Sequence, residues 1–189
     1  MDAGIVMHRF SAPDSASPAA RAPATAVIET RLYKLADAAP NWLAWYETAG
    51  PAPETATEDW TQGATDLDAM SFALRRDLHS SRQTDSSTQW LYVVHTDVPD
   101  DVAAEYNAWY DDEHMPRLVS VPGIDRARRY VSLRGHPRYL TAYDLSDPGA
   151  FTSPEGLQAR KTQRTERMRG LFTNTRRFTG RLIQHERAL

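Results

Sequence analysis

Cysteine is absent from the whole 189-residue chain. That excludes disulfides, thiolate metal sites and cysteine nucleophiles, and it fits a reducing compartment. No apolar run approaches the length of a membrane span. The first ten residues are too short and too mixed for a signal peptide. No membrane partner is therefore expected, and the cytoplasm is the default location. Neither Gly-x-Gly-x-x-Gly, a Walker sequence nor Gly-x-Ser-x-Gly occurs, so phosphate loops and the hydrolase elbow have no sequence support. The six histidines (8, 79, 95, 114, 136 and 185) include no pair at ligand spacing and no His-Glu-x-x-His. No metal and no cofactor are expected; a metal held by His95, His114 and acids, or a haem on either histidine, would be the alternatives.

Charge is present but unevenly placed. The net charge is −3, yet residues 1–123 carry 8 Lys+Arg against 19 Asp+Glu, and residues 124–189 carry 14 against 6. A basic C-terminal part could hold nucleic acid or an anionic substrate. The simpler reading is that the two parts fold together and partly neutralise. The run Arg160-Lys161…Arg164…Arg167…Arg169 reads as a solvated helix face.

Read in order, the chain divides into an N-terminal strand and linker (1–24), a first half (25–86) and a second half (87–189). Gly4 to Phe10 is a short strand, and Ser11 to Ala24 an Ala-, Ser- and Pro-rich linker. Val27 to Leu35 and Asn41 to Thr48 form a hairpin. Pro51 to Thr57 is a loop, Glu58 to Leu67 a weak helix, and Met70 to Leu74 alternates as a strand. Ser80 to Thr88 is a polar linker. The second half is clearer. Trp90 to Asp97 is a strand, Asp101 to His114 a helix, and Ile124 to Leu133 and Arg138 to Leu145 are strands. A helix capped by Ser153, with Pro154 at its first position, runs to about Leu171. Arg176 to Gln184 is a last strand. The order βαββαβ is ferredoxin-like.

An internal repeat supports two halves. Tyr33…Trp42-Leu43…Tyr46-Glu47…Pro51 matches Tyr130…Tyr139-Leu140…Tyr143-Asp144…Pro148 interval for interval, and Arg31 falls where Arg128 does. The expected fold is α+β: two ferredoxin-like halves, the first degenerate, packed sheet-to-sheet as an α+β barrel. Strand alternation puts Leu91, Val93, Val131, Leu133, Leu140 and Ala142 on the face for the helices. It puts Trp90, Tyr92, Tyr130, Tyr139 and Tyr143, with Arg126 and Arg128, on the other. That second face suits an aromatic or unsaturated ligand bearing a carboxylate, ketone or phenolate. A sheet with surface aromatics also resembles an RNA-binding one, but the Lys/Arg-Gly-aromatic pattern is missing, so no nucleic acid is expected.

The most concentrated chemistry lies in Trp109-Tyr110-Asp111-Asp112-Glu113-His114-Met115-Pro116. Met115 precedes a proline and is biased out of the α region, so the helix should end or kink there. His114 should then stand at a helix C-terminus, where an imidazolium is favoured. Tyr110 and Asp111 should share its face. A histidine beside a carboxylate and a phenol suits proton transfer near neutral pH, although a histidine at a helix end is more often a solvated cap.

The Trp-Tyr-x-x-Glu-His-x-Pro signature, Val-Pro-Gly-Ile, Ala-Arg-Arg-Tyr and Pro-Arg-Tyr-Leu-x-x-Tyr-Asp-Leu resemble the dimeric α+β barrel superfamily, in particular EthD-like proteins. The likeness covers residues 88–184 well and 25–78 weakly. It implies a small, often cofactor-free enzyme with His114 as general acid or base, and leaves a homodimer open. The first half has no copy of the Glu-His motif, so one site per chain is expected. Asp111 or Glu113 would orient His114. Tyr92, Trp109, Tyr110, Tyr139 and Tyr143 would bind or polarise the substrate, and Arg128 would hold an anionic group. The expected function is a lyase, isomerase or cyclase acting by proton transfer on a carbonyl or phenolic substrate. A non-catalytic binding protein and a cofactor-free monooxygenase are the alternatives.

Overall fold

The structure is a computed structural model; it describes residues 3–13, 27–36, 39–53, 65–82 and 88–187. Its strands are β1 (Gly4–Ser11), β2 (Val27–Leu35), β3 (Trp42–Thr48), β4 (Thr65–His79), β5 (Trp90–Asp97), β6 (Ile124–Ser132), β7 (Tyr139–Leu145) and β8 (Thr173–Arg187). Its helices are α1 (Ala103–Trp109), α2 (Met115–Val119), α3 (Pro154–Ala159) and α4 (Gln163–Gly170). From β5 to β8 the order is ferredoxin-like, the α+β class expected. Among the described residues, no helix is long and apolar enough to cross a membrane. The expected linker core, 14–24, and most of the expected weak helix, 58–64, lie outside the described residues, as does 83–87; Thr65 to Leu67 belong to β4.

The chain forms two compact units: Met1–Leu74 with Tyr130–Gly135 and Phe178–Leu189, and Arg75–Arg129 with His136–Arg177. In the first, β3 lies between β1 and β2; β4 adds to β1 and β8 to β2, all antiparallel. Its core gathers Val6, Phe10, Leu32, Trp42, Ala44, Tyr46 and Ala52, none more than 5% exposed. All but Ala52, which follows β3, come from alternate positions of three strands, which is how a pleated sheet buries one face.

In the second unit β5 lies between β8 and β7, and β6 follows β7. β5 and β7 are antiparallel and set Tyr92 opposite Tyr143. The long connections of this unit carry the helices. Gly123, at φ 87°, makes the turn from α2 into β6, a left-handed conformation that favours glycine. Gly156 lets α3 close on the preceding turn, since a β-carbon there would stand 2.1 Å from the Ala150 carbonyl oxygen.

Two expectations about helices are corrected. The helix read as running from Ser153 to about Leu171 is broken after Ala159. Ser153 does cap its start, accepting from the Gly156 N–H at 3.0 Å, but Thr162 caps a second helix, accepting from the Thr165 N–H at 3.0 Å. The helix read as ending or kinking at Met115 does not end there: it continues to Val119, with Met115 in the α region and the irregularity in the turn before it. Pro116 has no N–H to give back to the preceding turn. The chain accommodates it with a wide π-helical turn over Tyr110–His114, closed by the Met115 N–H on the Tyr110 carbonyl.

Candidate active site in the second unit

The π turn decides where His114 points. In a regular helix of 3.6 residues per turn, position 114 stands over 110 but well away from 109. The wider turn brings it back over both. The His114 ring lies 4.3 Å from the Trp109 ring, tilted by 32°, and 5.1 Å edge-on from Tyr110. These side chains face the sheet, where Tyr92 and Tyr143 stack at 6.2 Å. Phe151, from the turn before α3, closes against both tyrosines at 4.6 and 5.1 Å. The cavity, open on one side, measures about 30 Å³, room for a single water. Trp109, Tyr110, His114, Tyr92 and Tyr143 line it. Val94, Phe151 and Phe172 complete the wall, and Arg160, Arg169 and Arg177 also border it.

Three of these lining groups are buried polar atoms without a hydrogen bond: Trp109 Nε1, His114 Nδ1 and the Tyr143 hydroxyl. Buried polar atoms are almost always paired, and leaving one unpaired costs about 1–3 kcal/mol. Two donors and one imidazole nitrogen, donor or acceptor according to the ring's tautomer, stand open around one cavity, a constellation that an oxygen-bearing ligand satisfies.

Electrostatics fix their protonation. Burial, reinforced by the guanidinium groups of Arg169, Arg160, Arg129 and Arg117, drives the His114 pKa down to about 3. The imidazole is therefore neutral at pH 7 and carries an open lone pair. The sequence had suggested an imidazolium at a helix end; the ring is instead mid-helix and 7% exposed. Burial pushes the Tyr92 and Tyr143 phenols up, so both remain protonated donors.

The expected orienting acids lie elsewhere. Asp111 accepts from Arg129 Nη1 at 3.0 Å, and Arg75 stands 3.6 Å from it. Glu113 accepts from the Thr162 hydroxyl at 2.5 Å, tying the π turn to the cap of α4. Neither is hydrogen-bonded to His114. Arg128 is also displaced. Its Nη2 donates to both Asp144 oxygens, at 2.6 and 2.8 Å, and the pair is buried. The neighbouring Arg129 turns to the helices instead, bonded to Asn107 and stacked over Tyr110 at 4.3 Å. Tyr139 packs on Tyr106 of α1 at 4.8 Å and does not line the cavity.

These contacts reverse an expectation about the sheet. The tyrosines of β5 and β7 are on the face covered by the helices, while Leu91, Val93, Leu140 and Ala142 alternate to the other. Arg128 and Tyr130 do not share the tyrosine face, because on β6 it is Arg129 that meets α1. The cavity residues missed from sequence are Val94, Phe151, Phe172 and the three arginines. Alternation from Tyr92 marks Val94. Thr162, three residues before Thr165, is a cap signal that takes Arg160 off the supposed solvated helix face.

Among the described residues, no group of three or more His, Asp or Glu side chains could hold a metal ion. No protein-family model matches the chain, and no curated protein sequence matches it. Solved structures do. An anthrone oxidase-like protein superposes with a TM-score of 0.66 at 12% identity, covering 99% of this chain and 93% of that one. A provisionally assigned monooxygenase from Lactobacillus acidophilus NCFM gives 0.63 at 9% identity, over 99% and 97%. A ferredoxin-fold protein related to antibiotic biosynthesis monooxygenases, from Listeria monocytogenes 4b F2365, gives 0.54 at 9%, over 97% and 96%. At these identities the likeness is one of fold: this chain has the ferredoxin-like α+β fold of that group.

Proposed function

We propose that the chain is a cofactor-independent small-molecule enzyme whose first step is removal of a proton by His114 from a carbonyl or phenolic substrate. The observation that carries this is the unpaired Nδ1 of a neutral, buried histidine in a cavity whose other open groups are donors. The substrate oxygen would accept from the Tyr143 hydroxyl and the Trp109 N–H. His114 would take a proton from the adjacent carbon or hydroxyl. The negative charge that develops on the oxygen would be met by those donors and by the surrounding guanidinium field. That charge also offsets the guanidinium field, which adds to burial in keeping the imidazole a weak base, so its basicity rises as the proton moves. Lyase, isomerase and cyclase chemistry each need this step. The sequence likeness to EthD-like proteins belongs to the same reading.

A cofactor-free monooxygenase is the second reading, favoured by the names of the structural neighbours. The same proton removal from an activated CH2 gives a carbanion that dioxygen can oxidise. The CH2 becomes C=O and the second oxygen atom leaves as water, so the substrate supplies all four electrons.

The test is His114→Gln, which keeps ring-sized polarity without a basic lone pair. We expect turnover of an anthrone- or hydroquinone-type substrate to fall by about 10²- to 10⁴-fold with an unchanged circular dichroism spectrum. Oxygen uptake during turnover selects the second reading; product formation without it selects the first. Full activity in the variant would remove His114 as the base in both readings, and absence of turnover in the unaltered protein would leave a binding protein.

A further inference from the structure

We infer that Arg160, Arg169 and Arg177 form an oxyanion-holding rim, and that the molecule entering the cavity is an aromatic or conjugated acid bearing a carboxylate. The inference rests on the cavity being the substrate site and goes further by naming what admits the substrate.

The argument is one of unused charge. Several guanidinium groups of this unit find carboxylates, Arg126 on Asp77 at 2.6 Å, Arg128 on Asp144, Arg129 on Asp111 and Arg167 on Glu105 at 2.9 Å, while Arg117 bonds the main-chain oxygens of Ala159 and Gln158. The cavity border is different. Arg160 is half-buried and bonded only to main-chain oxygens, those of Gly156 at 3.1 Å and Phe151 at 2.5 Å. Arg169 and Arg177 are exposed and have neither ion pair nor hydrogen bond among the described residues. The other titratable groups lining this cavity are tyrosines and a histidine, so three positive charges stand there uncompensated.

The three come from separate elements: the end of α3, the last turn of α4 and the start of β8. A charge cluster assembled from three elements is not a helix face. Guanidinium forks match a carboxylate in geometry as well as charge. The cavity behind them is walled by Phe151, Phe172, Tyr92 and Trp109, which suits the face of a conjugated ring. With room now for one water, the ring enters by displacing the flexible arginine side chains and Phe151. The carboxylate stays at the rim, and the oxygen next to the reacting atom reaches Tyr143 and His114.

Isothermal titration with benzoate and its neutral isostere benzamide tests this at low ionic strength. Benzoate should bind at least about tenfold more tightly, and added salt should erode the difference. The double variant Arg169→Gln/Arg177→Gln changes two exposed side chains and should abolish the preference while leaving the melting temperature unchanged. Equal binding of the two probes, binding of neither, or a preference that survives the double variant would each overturn the rim. His114→Gln should keep the benzoate preference. A protein that discriminates the two probes but loses no turnover without His114 would therefore refute the proton-transfer reading and leave the rim standing.

Discussion

His114 shows what burial does to a single side chain. Its pKa falls to about 3, and that of His8, fully buried in the first unit, falls to about 4, both chiefly through desolvation. In the unfolded chain each protonates near 6.5. Between those values the unfolded state binds more protons, so stability is full above pH 6.5 and drains away as pH falls. Each unit of difference is worth about 1.4 kcal/mol. Denaturant titrations should therefore show stability falling from pH 6.5 to 4, with a shallower slope in His114→Gln. An unchanged slope would mean the ring is not held neutral in the folded state. The importance of His114 was legible, because acids, rings and a proline crowd around it in sequence. Its partners were not. Asp111 and Glu113 are close along the chain, but the π turn swings both toward other guanidinium and hydroxyl groups. Arg128 and Arg129 illustrate the same limit: successive strand residues point to opposite faces, and nothing in Ala-Arg-Arg-Tyr says which of the two meets α1.

At the level of elements, strands were read well and helices less so. β2 and β5 were placed to the residue, and β3 and β7 to within one, because alternation repeats every two residues and turn signals bracket it; β4, read as Met70 to Leu74, runs from Thr65 to His79. The helices depend on subtler chemistry. Proline after Met115 signals an end or a kink, and the helix passes it by widening its hydrogen-bonding ring. Thr162 interrupts a polar run that looks continuous. The break is functional in effect, since it separates Arg160 from Arg169 and lets both border one cavity. α3 is also held by a tight approach at Gly156. Gly156→Ala would place a methyl against the Ala150 carbonyl, which the main chain can relieve only by moving α3. We expect a loss of about 1–3 kcal/mol, read as a lower melting temperature, accompanied by weaker benzoate binding because Arg160 hangs on this helix.

Across the whole chain, the repeat seen in the sequence has a physical counterpart. Arg31 and Glu47 occupy in the first hairpin the positions of Arg128 and Asp144, sixteen residues apart, in the second. Both pairs are ion pairs, but unequal ones. Arg128 and Asp144 are in direct contact with side chains 1% and 4% exposed, whereas Arg31 stands 3.9 Å from Glu47 and is shared with Glu29 at 2.7 Å. Breaking a buried pair strands a charge at a cost of about 3–5 kcal/mol, and the cost is smaller where the remaining cation keeps a second carboxylate, as Arg31 keeps Glu29. Asp144→Asn should lower denaturation midpoints far more than Glu47→Gln; equal losses would refute the ranking. Hairpin duplication was legible because it is carried by local spacing. The cavity was not, since its wall is assembled from side chains more than eighty positions apart.

The wide turn at Tyr110–His114 has a consequence for how this site tolerates change in length. A π-helical turn holds one more residue than the α-helix needs to span the same path. Losing one residue between Tyr110 and Glu113 would narrow that turn to an α-helical one and shift His114 around the axis relative to Trp109. The surplus amino acid there thus serves aim and architecture together, since the same widening that turns His114 over Trp109 makes room for Pro116.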